Sequence, residues 1–415
     1  MILGINYPPE KIGIAVYTGD MARAFAQAGH EVQVVTTDPY YPEWRFPTGY
    51  RRRPWRRETD AGVGIIRCPI YVPADPNGSR RLLHHASFAL STLVPMLWHA
   101  LFKRPDVVIC VAPSLIAAPV GWLAARIGGA VAWLHVQDFE VEAAVAVGLM
   151  DGDTRAIRFA KRIERTIMRG FDRVSSIGPE MCRRLISLGV AQDKVHQVRN
   201  WADLDAIVPQ NGESSYRAEW QIVTPHVALY SGNLANKQGI EIVVAAARRL
   251  RRRNDLTFVI CIGGPSRSAF ERSIAALDNV IVRDLQPKDR LSDLLGLASV
   301  HLLPQKAEAA DLVLPSKLTN MLASGRPVVA TAAAGTGLAR EMEGCGIVTP
   351  PGDEVAFADA IETVLDQPLL ADRYSRTARD RAERDWNKDR ILASLYTDLE
   401  AAVTAKSHRR HGALR

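Results

Sequence analysis

The chain has few of the features that would place it at a glance, and each absence removes a class. Only five cysteines occur in 415 residues, Cys68, Cys110, Cys182, Cys261 and Cys345, an odd number, widely spaced and without a CxxC pair. A disulfide framework is thereby excluded, and a reduced, cytoplasmic protein is expected. GxGxxG is missing from the first strand-to-helix turn, and GxxxxGK[ST] is missing altogether, which sets aside a dinucleotide clamped at that turn and a P-loop. No charged leader precedes an apolar core, because the chain opens inside strand-like Ile2-Leu3-Gly4-Ile5, so no signal peptide is expected. An acidic excess is also missing. The net charge is +7, and the excess lies in residues 1–200, with 25 Lys and Arg against 18 Asp and Glu, while the remainder has 27 of each. A basic half suits nucleic acid, anionic lipid or a phosphorylated substrate. No RNP-like aromatic strand, zinc spacing or basic zipper accompanies it, so no nucleic-acid partner is expected. The run Leu82 to Phe102, without Asp, Glu, Lys or Arg, holds three His and Pro95 and precedes a strand at Asp106, and it reads as a buried or interfacial helix rather than a span.

What is present is a repeated alternation of short apolar runs with helical patterns. At this length two domains of about 200 residues each are expected, here residues 1–200 and 201–380, followed by a terminal helix and basic tail, 381–415. The stretch His226 to Leu250 shows the unit most clearly: apolar HVALY, a turn at Ser231-Gly232, then a helical pattern entered at Lys237. Free amides at a helix start make an anion site after such a turn, although an ordinary βα turn with a solvated Lys fits the same residues. Pro315-Ser316-Lys317 opens another helix in the same half, and two anion sites in one domain suit a diphosphate. In the first half, the strand Val131 to His135 runs into Gln137, Asp138 and Glu140, polar groups at the strand end where ligands of a parallel sheet sit. His135 and Asp138 are the candidates for positioning a hydroxyl or moving a proton; a buried structural His remains the alternative. Tyr40 to Arg57 reads as a loop in which Arg51, Arg52, Arg53, Arg56 and Arg57 interleave with Trp44 and Trp55, suited to an anionic acceptor or simply a solvated surface. Asp151-Gly152-Asp153 reads as a helix cap rather than a metal site.

The succession YPPExxG, GHEVxVVT, YSGNxxxKQGIE, PSKLxxMLASGRPVVAT and GxGIVTPPGD, from Ile2 to about Tyr396, resembles the family 4 glycosyltransferases of the GT-B fold, especially those of bacterial exopolysaccharide and colanic-acid assembly. The resemblance implies two doubly wound, Rossmann-like α/β domains facing a cleft. The first would bind the acceptor, the second a nucleotide-diphosphate sugar, and the last helix, Ile391 to Ala402, would cross back to the first. It implies retention of anomeric configuration without a metal or other cofactor. The basic first half, the five Arg around Trp55 and the apolar Leu82 to Phe102 helix point to a lipid-linked saccharide acceptor at the anionic inner face of the membrane.

Carried over by residue, the resemblance assigns Gly13, Gly232, Asn233, Lys237, Gly264, Leu285, Ser316, Lys317, Leu318, Asn320 and Glu341 to the donor. The polar strand end and the basic loop, read from the residues themselves, make Gln137, Glu140, Arg51, Arg52 and Arg53 the candidates for the acceptor. Asn233 stands where many relatives have an Arg. The paired glutamates spaced EX7E fall on Leu312 and Asn320, so neither carboxylate is present, with Glu308 and Asp311 nearby. A sugar-nucleotide 2-epimerase, a non-catalytic partner of a transferase and a dehydrogenase are the other classes left open.

Overall fold

Apolar runs that alternate with helices and are buried on both faces build two separate sheets. A computed structural model of the chain describes them over residues 1–10, 13–50, 55–139, 155–210, 212–232, 238–263, 267–307 and 315–412. One unit comprises Met1–Arg199 with Asp389–Arg415, and the other Asn200–Lys388.

In the first unit the strands are β1 (Ile2–Gly4), β2 (Gln33–Thr37), β3 (Arg56–Asp60), β4 (Val63–Cys68), β5 (Val107–Ala112), β6 (Val131–Val136), β7 (Arg173–Ser176) and β8 (Val195–Gln197). Their order is β3-β4-β2-β1-β5-β6-β7-β8, parallel throughout except that β3 runs antiparallel to β4 at the edge. Helices α1 (Ile14–Gln27), α2 (Gly78–Phe102), α3 (Ala118–Gly128), α4 (Arg155–Gly170) and α5 (Pro179–Ser187) make the crossovers. Continuous apolar strands such as VAWLHV, buried at every position, are what a parallel sheet covered on both faces requires. The order changes direction between β1 and β5, which opens a crevice outside their carboxyl ends.

Two results there differ from the sequence expectation. The end of the Tyr40–Arg57 segment is not loop, since Arg56 and Arg57 open β3. The β3–β4 hairpin turns through Ala61 and Gly62, both with positive φ, the geometry of a tight two-residue turn. Within it Arg56 pairs with Asp38 and Glu58 at 3.1 Å each, so its charge is engaged inside the unit.

The second unit has β9 (His226–Ser231), β10 (Leu256–Cys261), β11 (Val280–Arg283), β12 (Val300–Leu303), β13 (Val328–Thr331) and β14 (Gly346–Thr349), all parallel in the order β11-β10-β9-β12-β13-β14. Its direction changes between β9 and β12. The last helix, Lys388–Gly412, belongs to the first unit from Asp389 onward. Lys406 anchors it there, donating to the Ala130 carbonyl at 2.6 Å and pairing with Asp172 at 2.7 Å. Both units are doubly wound α/β sheets of the Rossmann kind.

Candidate functional site

The turn after β9 and the helix Lys317–Ala323, reached through the connection that follows β12, meet at the switch point of the second sheet. Lys317 folds back over β9. Its Nζ lies 4.4 Å from the centre of the Tyr230 ring and donates to Tyr230 Oη (3.1 Å) and Gln238 Oε1 (3.2 Å). Tyr230 in turn donates to Gln238 Oε1 at 2.5 Å. Gly232 makes this path possible. A Cβ there would stand 2.0 Å from Lys317 Nζ and 2.2 Å from Cε, so any larger residue expels the ammonium.

Burial pushes the Lys317 amine down to about 7, and among the described residues no carboxylate offsets that effect. A part-buried cation with no counter-anion among the described residues, at the carboxyl ends of parallel strands, is arranged to receive an anionic ligand. Asn320 lies one turn along the same helix face from Lys317, half-buried. Ser316 is exposed at the helix entrance, while the Leu318 side chain is fully buried in the core, so only its backbone can face a ligand. Leu285, half-buried after β11, packs over Gly263, where an added Cβ would meet its Cδ1 at 3.1 Å. Glu341 is buried at the end of the helix Gly337–Glu341. Asn233, Lys237, Gly264, Glu308, Asp311 and Leu312 lie outside the described residues.

In the first unit His135 is the penultimate residue of β6 and only 6% exposed. Its Nδ1 is 2.9 Å from Ser175 Oγ on β7, which also accepts from Trp133 Nε1 at 2.8 Å. Burial lowers the imidazole to about 4, so it is neutral near pH 7. Gln137 is buried and Asp138 half-buried just beyond the strand end. Glu140, Arg51, Arg52, Arg53 and Asp151 to Asp153 lie outside the described residues. Gly13 caps α1 with φ 65°, and a Cβ there would meet none of the described residues within 4 Å.

The sequence reading passed over two side chains that shape this end of the first sheet. Glu10 is buried and accepts from Asn6 Nδ2 (2.9 Å) and from the amides of Tyr40 (2.8 Å) and Tyr41 (2.9 Å), joining the loop after β1 to the loop after β2. Arg67, also buried, donates to the carbonyls of Thr37 and Pro8 at 2.6 Å each. A lone acid in YPPExxG and a lone Arg in an apolar strand were the available signals.

Two Rossmann-like sheets, each with a crevice at its switch point and the second carrying the part-buried Lys317, define a doubly wound α/β protein of two units, and the comparisons give its class. Residues 13–201 match the Glycosyl transferase 4-like domain and residues 225–367 match Glycosyl transferases group 1. WcaI of Escherichia coli (strain K12), by name a colanic acid biosynthesis glycosyl transferase, is 37% identical over 411 residues, covering 96% of this chain and 99% of that protein. In fold, the chain is similar to sucrose-phosphate synthase from Thermosynechococcus elongatus, with a TM-score of 0.74 at 19% identity, covering 97% and 99% of the two chains. It is also similar to HepE of Anabaena in complex with UDP-glucose, with a TM-score of 0.69 at 13% identity, covering 96% and 99%. The chain belongs to the family 4 glycosyltransferases, enzymes of the GT-B fold.

Proposed function

We propose that this glycosyltransferase moves a sugar from a nucleoside-diphosphate sugar to a lipid-linked saccharide in bacterial exopolysaccharide assembly, with retention and without a divalent metal. It acts as a peripheral protein on the cytoplasmic face of the cell membrane. The observation that carries the donor half is Lys317: a part-buried ammonium with no carboxylate to balance it among the described residues, held over β9 by Tyr230 and Gln238. As the anomeric C–O bond breaks, negative charge develops on the departing diphosphate, and a fixed cation in a partly desolvated site stabilises it. Lys237 adds to the same phosphate site, and Asn320 takes the ribose in place of a carboxylate. His135, neutral and held by Ser175, together with Asp138, positions the acceptor hydroxyl or the transferred sugar. The exopolysaccharide setting rests on the full-length similarity to WcaI, and the lipid-linked acceptor on the basic excess of the first half.

A thermal-shift panel of UDP, GDP, ADP and dTDP with their sugars tests the donor site. A ligand at a hundred times its Kd stabilises the native state by about 2.7 kcal/mol, roughly 5–10 °C for a unit of this size. One base should stand out, with its shift unchanged by EDTA. A panel in which no nucleotide raises the melting temperature removes the donor site from this unit.

A further inference from the structure

The crossovers from β4 to β5, β5 to β6 and β6 to β7 all run the same way along the first sheet, so α2, α3 and α4 share one face. The three form a layer. α2 packs on α3 and α3 on α4, and Trp122 Nε1 of α3 donates to the Gly170 carbonyl at the end of α4 at 2.8 Å.

The outside of this layer departs from an ordinary solvated surface in two ways. Along α2, Leu83, Leu90, Val94 and Leu101 follow one another at helical spacing and are all exposed, Leu90 to 74%, with no charged side chain from Leu82 to Phe102. They form a stripe about 27 Å long at 1.5 Å per residue. A helix face turned to water is normally polar, and a contiguous apolar one marks a surface that meets something. The second departure is the sign of the charge. α2, α3 and α4 together carry nine Lys and Arg and a single acid, Glu164, which is buried. α4 alone has five Arg and one Lys, with Phe159 (66% exposed) and Ile163 standing out among them.

Two tryptophans border the stripe. Pro95 has no N–H to offer the Ser91 carbonyl, and Trp55 Nε1 fills that vacancy at 2.9 Å, which fixes its exposed indole against the middle of α2. Arg57 lies over the ring of exposed Trp98 at 5.9 Å. Aromatic rings with a polar edge, beside apolar side chains and cations, suit the boundary between headgroups and acyl chains.

We infer that the α2–α3–α4 layer is the face by which the protein lies on an anionic bilayer, the α2 stripe entering the headgroup boundary and the α4 cations meeting lipid phosphates. This extends the membrane reading proposed above, and rests on it, by assigning the surface. Among the described residues no helix is long and apolar enough to cross a membrane, so the stripe lies along the surface. A second copy is the poorer occupant, because a two-fold contact through this face would set two strongly basic surfaces against each other.

Flotation with phosphatidylglycerol-rich vesicles and with phosphatidylcholine vesicles, at low salt and at ~1 M salt, tests the assignment. Wild-type protein should bind the anionic vesicles and keep a measurable bound fraction at ~1 M salt, where the Debye length is about 3 Å. Leu90→Glu with Val94→Glu should abolish that salt-resistant fraction. Arg162→Ser with Arg165→Ser should lower low-salt binding roughly tenfold or more, each cation being worth about fivefold. All four positions are exposed, so melting temperature and the shift given by UDP, GDP or ADP should not change in either variant. A wild-type protein that ignores anionic vesicles at low salt overturns the inference. So does a salt-resistant fraction that survives the two Glu substitutions, or a wild-type dimer that those substitutions split into monomers. The absence of any nucleotide shift in wild-type protein would instead count against the proposed donor site and leave the vesicle result to be read by itself.

Discussion

Replacing Lys317 by Met should separate a functional lysine from a structural one, because the two roles predict opposite signs. The fall of the amine from 10.5 to about 7, at about 1.4 kcal/mol per pH unit, means that burial disfavours the ammonium by up to roughly 5 kcal/mol. Allowing for the solvent that still reaches Nζ, about 1–3 kcal/mol of this should be recovered as stability by Lys317→Met near pH 7 in the ligand-free protein. The pH dependence follows from the depressed folded value. The neutral amine favours folding fully above 10.5, and that contribution is lost as pH falls to about 7, so wild-type stability should rise between those limits relative to the variant. Phosphate demands the charged form. Nucleoside-diphosphate affinity should be flat below about pH 7 and should weaken as pH rises beyond it, approaching tenfold per pH unit, with proton uptake on binding. Calorimetry of the best-binding nucleoside diphosphate in buffers of different ionisation enthalpy measures that uptake directly. The charge-assisted contact is worth about 1.5–3 kcal/mol, so the variant should bind at least tenfold more weakly. A destabilised variant with unchanged nucleotide affinity would show that Lys317 is a structural element and that the phosphate site lies elsewhere.

Three further outcomes follow from the same geometry. Gly232→Ala should displace the Lys317 ammonium and weaken nucleotide binding about as much as Lys317→Met does, and the double variant should be no worse than either alone; additive losses would separate the two residues. Asn320→Ala should cost a ribonucleotide roughly fivefold in affinity and its 2′-deoxy form little, the worth of one hydrogen bond near 1 kcal/mol, whereas equal losses would remove the ribose as its partner. His135→Asn and Asp138→Asn should lower turnover with nucleotide binding intact. Since burial keeps His135 neutral down to about pH 4, its stabilising contribution, fully present above 6.5, should fade as pH falls from 6.5 to about 4, and an imidazole resonance of His135 titrating near 6.5 would contradict its buried placement.

The parts of this fold that could be read directly are those in which local chemistry and tertiary role agree. HVALYS followed by Gly232 reads as a strand and turn because burial on both faces of a parallel sheet demands an apolar run, and the structure places β9 there. The helix after it, expected over Ile240 to Arg251, runs Glu241–Arg249. β3 was illegible for the opposite reason: RRETD has no apolar face, being an edge strand whose residues face solvent or ion pairs, and its pairing depends on β4. Lys317 stood out by its neighbours in sequence, but its burial did not. Tyr230 and Gln238, which hold it, lie 87 and 79 residues away, beyond the reach of any spacing rule. The same holds for His135, whose character is set by Ser175 across the sheet, 40 residues on. The basic first half was visible as a count, but its sorting onto α4 and around the bare stripe of α2 required knowing which helices share a face.

The central claim is that the chain transfers sugar from a nucleotide donor, and the most direct measurement is acceptor-dependent donor consumption. Purified protein would be incubated with radiolabelled nucleotide sugars, each with and without a lipid extract containing polyprenyl-linked saccharides from bacterial cells that make exopolysaccharide. Nucleoside diphosphate release and label entering the lipid fraction would be followed together. One donor should release its diphosphate in step with transfer of label to the lipid fraction, only when the extract is present, and Lys317→Met should suppress both. Conversion of a donor to its epimer without acceptor, or no consumption of any donor by folded protein that binds none of them, would contradict the account.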